Sequence, residues 1–379
     1  MKSDKKRGED DLPRIIFHVD LDAYYASLAI RANPEYVGRP VIIGPDPRES
    51  KGRGVVLTCS YEARQFGIHS GMPISKAQQL CSDAVYSRVD WDDIRETSRR
   101  VHSLLEDFAD DGLYQAGGCD EGYLDVTQRA YEHRCPIDYA KQIQQTIMAK
   151  EKLSCSIGIG PNKMVAKIAS DFKKPAGITK IEPNEVLEFL GELPVRKLIG
   201  VGAKTEKRLQ KLGIQTIEDI RDKQAVLRKK LGFRSSEWLI QASLGNSSAQ
   251  IHTSKHGLFH GRKSIGHERT RRFENWSEIE ETVRSLTIDN CKRAHRRGFS
   301  FRTVTIKLRF ADFDTHTKSA SFAHSSTSTR KAIQAAMELL QNFRVDSQKR
   351  KIRLVGSRLS GLQRRTKPLT AWLPKIAPY

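Results

Sequence analysis

Two acidic clusters, one near residue 20 and one near residue 120, each abutting an apolar alternation, constrain this chain more than any other feature. The first ends the run Ile15-Ile16-Phe17-His18-Val19, which reads as a buried strand delivering Asp20-Leu21-Asp22 at its carboxyl end. The second is Asp120-Glu121 within Gly117-Gly118-Cys119-Asp120-Glu121-Gly122-Tyr123-Leu124-Asp125-Val126. Leu124 and Val126 keep the period of a half-buried strand, and Gly117, Gly118 and Gly122 offer the backbone angles of a tight turn. In mid-strand, Asp120 and Glu121 would face opposite sides of a sheet; at a hairpin tip both can turn toward one ion. Taken alone, an Asp-Glu pair in a turn reads more readily as solvated loop. Two strand-borne clusters together suit a pair of hard divalent cations, which clamp the attacking and leaving oxygens of phosphoryl transfer. Asp20 would bind through its side chain and Leu21 through its carbonyl, while Asp22 could instead cap the helix begun at Ala23-Tyr24-Tyr25.

The partner of such chemistry is suggested by charge. A net charge of +20 and a pI near 9.7 point to a polyanion. A membrane surface would attract the same charge, but no apolar run approaches the roughly 20 residues of a spanning helix. Met1 to Asp11 is charged and lacks the apolar segment of a signal peptide. Cysteines 59, 81, 119, 135, 155 and 291 show no CxxC spacing, which argues against a zinc site or a disulfide framework and for a reducing, cytoplasmic setting.

Further along, Gly54-Val55-Val56-Leu57-Thr58 reads as a strand, and Tyr61 and Arg64 share a face of the short helix after it. A phenol beside a forked guanidinium can grip phosphate oxygens, although a solvated Arg is the commoner case. A long amphipathic helix over 91–111 leads into the Asp120 hairpin, and a helix over 136–150 leads to the strand Ser154 to Gly160. The next helix, with Pro161 in its first turn, is stopped by Lys173-Lys174-Pro175-Ala176-Gly177. Lys174 there would neutralise a triphosphate or sit at the negative end of the helix dipole. From Pro183 to about Gly245 the pattern is helical, and Leu198 to Ile214 resembles a helix-hairpin-helix. Its Gly200 and Gly202, followed by Lys204, would aim main-chain amides at a phosphate.

After a Ser-, His- and Gly-rich linker, residues 260–362 return to strands and two helices, with 22 Lys and Arg against 10 Asp and Glu. In Thr303 to Phe310, Val304, Ile306, Leu308 and Phe310 share one face, and Thr303, Thr305, Lys307 and Arg309 the other. With no acid on that face, it is an electrostatic platform for a duplex backbone. The closing Thr366-Lys367-Pro368-Leu369-Thr370-Ala371-Trp372-Leu373-Pro374 reads as a docking peptide.

From Ile15 to that peptide, the chain resembles the Y-family translesion DNA polymerases. The blocks that carry the resemblance are Val19 to Ala26, Tyr61-Glu62-Ala63-Arg64, Asp120 to Asp125, and Gly158 to Gly177. It implies an α+β multidomain fold: a palm with mixed sheet and helices (13–23 and 89–182), fingers (24–88), a helix-hairpin-helix thumb (183–246) and an α/β little finger (260–362). A disordered tail (1–12), a linker (247–259) and a clamp-binding-like tail (363–379) complete it. By the same resemblance, Asp20, Asp120 and Glu121 hold two Mg²⁺ with help from the Leu21 carbonyl, and Tyr24, Tyr25, Thr58, Tyr61, Arg64 and Lys174 meet the incoming dNTP. Tyr25 stands at the steric-gate position, and Leu369, Trp372 and Leu373 at the sliding-clamp contact, where Thr366 replaces a usual Gln. Gly118-Cys119 replaces a Ser followed by an aliphatic residue or a second Ser, and Gly122 replaces an Ala. The implied activity is template-directed extension of a primer by a monomer, in lesion bypass. A non-catalytic duplex-binding relative and a nucleotidyl cyclase are the alternatives.

Overall fold

A computed structural model describes residues 13–133, 135–248, 250–251, 263–344 and 350–364. The chain divides between Leu258 and Phe259 into two compact units. Strands of the first are β1 (Ile16–Leu21), β2 (Val41–Ile43), β3 (Thr58–Cys59), β4 (Val85–Ser87), β5 (Tyr114–Ala116), β6 (Glu121–Asp125), β7 (Cys155–Gly160) and β8 (Ile178–Lys180). Five form one sheet in the order β5-β6-β1-β7-β8, with β1 central and antiparallel to both neighbours.

Alternation along β1 sets up everything that follows. Phe17, Val19 and Leu21 enter a core shared with the helices Trp91–Phe108 and Pro136–Glu151. Ile16, His18 and Asp20 therefore share the opposite face. There Ile16 packs on Ala166 of the helix Lys163–Ser170. His18 is fully buried, and Asp20, farthest along, is only partly covered.

Several local expectations are corrected. The helix over 91–111 stops at Phe108, and a short 3-10 turn, Asp110–Gly112, follows. Its buried Asp110 accepts the Gln128 and Arg129 main-chain N–H groups at 2.7 and 3.2 Å. Pro161 lies outside its helix; the Asn162 side chain is the cap, accepting the Met164 and Val165 N–H groups at 3.1 Å each. Gly117, Gly118 and Gly122 all lie outside the left-handed region. Gly122 is inside β6, and what it supplies is room: a Cβ there would collide with the Tyr114 phenol.

A smaller sheet, β3-β2-β4, carries the short helix Tyr61–Gln65, capped by Ser60. Beyond the main sheet, helices Val186–Gly191, Ala203–Gln210, Ile217–Asp222, Gln224–Leu231 and Phe233–Ser243 enclose Leu190, Leu209, Ile220 and Leu239. Their core continues into Met164, Val165 and Ile168 of the helix Lys163–Ser170. Part of the expected linker is docked: Ile251 is buried against Ile16 and Ala166, and the Gln250 carbonyl accepts Lys163 Nζ at 2.8 Å.

The second unit contains β9 (Ser264–Thr270), β10 (Phe299–Phe310), β11 (Thr315–Ser326), β12 (Ile352–Ser360) and β13 (Gln363–Arg364). Its sheet runs β11-β10-β12-β9, with β13 paired to the start of β10. Val304, Ile306, Leu308 and Phe310 are fully buried in a core with the helices Trp276–Arg296 and Thr329–Gln341. β11 is the outer strand and is mostly exposed. All six cysteines are free thiols, and no described helix is long and apolar enough to cross a membrane.

Candidate active site

The two acidic clusters meet at the ends of β1 and β6. Asp20 stands opposite Glu121 in the antiparallel register, and the Leu21 N–H donates to the Asp120 carbonyl at 2.8 Å. Cross-strand partners share a face, so Glu121 lies on the side of Asp20 and His18. Ligand atoms of His18, Asp20 and Glu121 all fall within 4.8 Å of one another. The Asp120 side chain is outside that triad, beside Cys119 Sγ at 3.8 Å, but its charge acts on Asp20. Burial, against the pull of Lys174, raises the Asp20 carboxyl to about 6. Glu121 goes the other way: the bond to His18, with Lys167, holds it down to about 2. Lys174 Nζ pairs with Asp20, and Lys167 Nζ with Glu121. Both carboxylates thus already hold a cationic group.

Asp22 does not cap the following helix. The N-cap of Tyr24–Ala32 is Ala23, in the left-handed region at φ 44°, without a side-chain cap. The buried Asp22 carboxylate instead accepts Ser156 Oγ at 2.8 Å, the Ala176 N–H at 2.8 Å and Tyr61 Oη at 3.3 Å. It ties the end of β1 to β7, to the turn after Lys174 and to the small-sheet module. Burial, reinforced by Asp22, pushes the Tyr61 phenol up to about 12. The Arg64 guanidinium stacks over the Tyr61 ring, 4.5 Å from its centre. Thr58, partly covered, is in β3, paired with Ile43 of β2.

Tyr24 and Tyr25 part company. The Tyr24 ring is buried and its hydroxyl donates to the Ile94 carbonyl at 2.7 Å, so that side chain belongs to the core. Tyr25 is half-buried, with its hydroxyl 3.4 Å from Cys119 Sγ.

In the helical region, Gly200 has φ 102°, and a Cβ there would press on Trp238 at 3.1 Å. Gly202 is the N-cap of Ala203–Gln210, which places Lys204 in its exposed first turn. On the second unit, the expectation of an acid-free face fails. Glu268 of β9 reaches across to Lys307 Nζ at 2.8 Å. Arg309 Nε donates to Thr315 Oγ1 at 2.8 Å, and Thr303 and Thr305 bond Ser321 and Ser319 at 2.8 Å each. Leu369, Trp372 and Leu373 lie outside the described residues.

Residues 19–171 match the impB/mucB/samB family, 183–214 the HHH motif of that family, and 262–370 its C-terminal domain. The chain is 36% identical over 359 residues to DNA polymerase IV 2 of Methanosarcina mazei, covering 93% of each. Identity is 38% over 361 residues to DNA polymerase IV of Methanoculleus marisnigri, 92% of this chain and 95% of that one. Among solved structures, it is similar to a Y-family DNA polymerase chimera of Dbh and Dpo4, with a TM-score of 0.82 and 30% identity, over 93% of this chain and all of that one. The chain belongs to the Y-family DNA polymerases. It is a DNA-directed DNA polymerase of translesion synthesis, with DNA and deoxynucleoside triphosphates as its partners. Y-family polymerases use divalent metals, and the acidic cluster of β1 and β6 supplies oxygen donors suited to them.

Two members of this cluster escaped the sequence reading. His18 stands two residues before Asp20 and so shares its face, a signal present in the alternation itself. Lys167 lies one helical turn before Asp171, and nothing local marks it as the partner of Glu121.

Proposed function

We propose that Asp20, Asp120 and Glu121, with the Leu21 carbonyl, hold two Mg²⁺ ions, and that the primer 3′-hydroxyl meets the dNTP beside them. The observation that carries this reading is the convergence of Asp20 and Glu121 with their charge balanced by lysine ammonium groups. Hard carboxylate oxygens that already hold cations fit a divalent ion. When bound, such ions would acidify the primer hydroxyl and neutralise the triphosphate and departing pyrophosphate.

The remaining work falls to the chain. Arg64, stiffened by its stack on Tyr61, offers a planar fork to phosphate oxygens, and Lys174 adds a point charge. Thr58 of β3 adds a hydroxyl. The first two amides of Tyr24–Ala32, those of Tyr24 and Tyr25, lack partners within the helix and suit a phosphate. The Tyr25 ring bars a ribose 2′-hydroxyl. Amides after Gly200 and Gly202, with Lys204, take up the duplex backbone, as do Lys307 and Arg309 on the second sheet. In this reading residues 13–23 and 89–182 are the palm, 24–88 the fingers, 183–246 the thumb and 260–362 the little finger. Leu369, Trp372 and Leu373 dock on a sliding clamp, and the polymerase works as a monomer.

Extension of a primed template, with and without a blocking lesion, tests the reading. Purified protein with Mg²⁺ extends the primer, and chelation stops it. Full extension by Asp20→Ala would sink the assignment.

A further inference from the structure

We propose that Cys119 is a positioning residue for sugar selection, its thiol fixing the far end of the Tyr25 ring. This rests on the reading of Tyr25 as the steric gate. Besides its packing against the cluster of Ala26, Val41 and Ile43, three ring and hydrogen-bond contacts orient that side chain. Tyr24 of its own helix lies 5.5 Å away between ring centres, tilted by 49°. Trp91, at the start of the helix Trp91–Phe108, meets it edge-on at 6.0 Å. Cys119, in the turn between β5 and β6, places Sγ 3.4 Å from the phenol oxygen, within reach of a sulfur hydrogen bond.

These supports are unequal. Tyr24 is locked, because its own hydroxyl is bonded to Ile94. It lies beside the ring and leaves the hydroxyl end to other groups. Trp91 is 52% exposed, so it is a yielding wall. Among the described residues only the thiol grips the hydroxyl, and Cys119 is packed with Tyr25 on the edge of the main core. Exclusion of one oxygen atom is decided by displacements of a few tenths of an ångström, because repulsion rises steeply at contact. Removing the sulfur opens a gap beside the phenol into which the ring can lean. Cys119 also precedes Asp120, so the turn that presents a carboxylate presents the support of the gate.

The test is the ratio of kcat/KM for a dNTP over the matching ribonucleotide. It is measured for the unaltered chain, Cys119→Ala, Cys119→Ser, Tyr25→Phe, Tyr25→Ala and the Cys119→Ala/Tyr25→Phe double variant. A net hydrogen bond of ordinary strength corresponds to a fall of about 3- to 10-fold for Cys119→Ala. Serine restores most of the ratio, and the double variant loses no more than Tyr25→Phe alone. An unchanged ratio in Cys119→Ala, with a collapsed ratio in Tyr25→Ala, overturns the role of Cys119 and leaves the gate intact. No change in Tyr25→Ala removes the gate and the inference together. Additive losses in the double variant, or a serine variant as permissive as alanine, show that Cys119 acts by another route and overturn it as well.

Discussion

In the sheet β5-β6-β1-β7-β8 the charged groups gather at strand ends, while in β11-β10-β12-β9 they spread across a face. At the strand ends, desolvation and close neighbours pull apart groups of one type: Asp20 rises to about 6 and Glu121 falls to about 2. Such divergence suits a site that must bind cations at fixed points. Across the second face, Lys307 and Arg309 are accompanied by threonine and serine hydroxyls and one carboxylate, Glu268. That mixture suits a polyanion contacted along its length, where the sum of charges counts for more than any one position. Precision is bought by burial in one sheet; tolerance follows from exposure in the other.

The sharpest way to break this contrast is Asp120→Ala. Primer extension should fall by about 10³-fold or more, because the loss acts on the transition state. A gel-shift measurement should find DNA affinity unchanged within about 2-fold; a parallel collapse of affinity would erase the division of labour. Glycines compare the packing of the two sheets. Gly122→Val must displace the Tyr114 phenol and should cost about 2–3 kcal/mol in thermal or denaturant unfolding. Gly356→Ala presses on the Glu268 Cγ at 2.9 Å, with the His267 carbonyl and the Lys307 Cβ at an ordinary 3.5 Å, and should cost less, about 1 kcal/mol. Equal losses would mean that the second sheet is as rigid as the first.

Alanine at Lys307 and at Arg309 should each reduce the salt slope of DNA binding by about one unit, read from affinities across a salt series. A slope that stays put takes those side chains off the DNA face. The smallest effect belongs to Glu268→Gln. Freed from its ion pair, Lys307 should bind DNA about 2- to 5-fold more tightly at low salt, with the gain vanishing as salt rises.

Much of this was legible in the sequence where apolar alternation was strong. β1, the Asp120 hairpin and the buried side of β10 follow the period of two, and burial enforces it. The convergence of Asp20 with Glu121 was legible for the same reason. Features made by remote partners were not. Asp22 looked like a cap, because its partners at 61, 156 and 176 come together only through the sheet and the module beside it. Gly122 looked like a turn former until Tyr114 was found filling the space above it. Glu268 of β9 and Lys307 of β10 flank β12, a strand that comes later in the chain, so a reading of one strand at a time missed the acid. Tyr24 and Tyr25 are neighbours of one chemical type, and only the helix phase sends one into the core.

The outermost strand of the second unit carries a further consequence. Among the described residues of its unit, twelve-residue β11 has a ladder neighbour on one side, and its other row of peptide groups is a template for a further strand. Were that border apolar, two molecules would zip together there. Thr315, His316, Thr317, Lys318 and Ser319 make it hydrophilic at its start, which disfavours such edge-to-edge pairing.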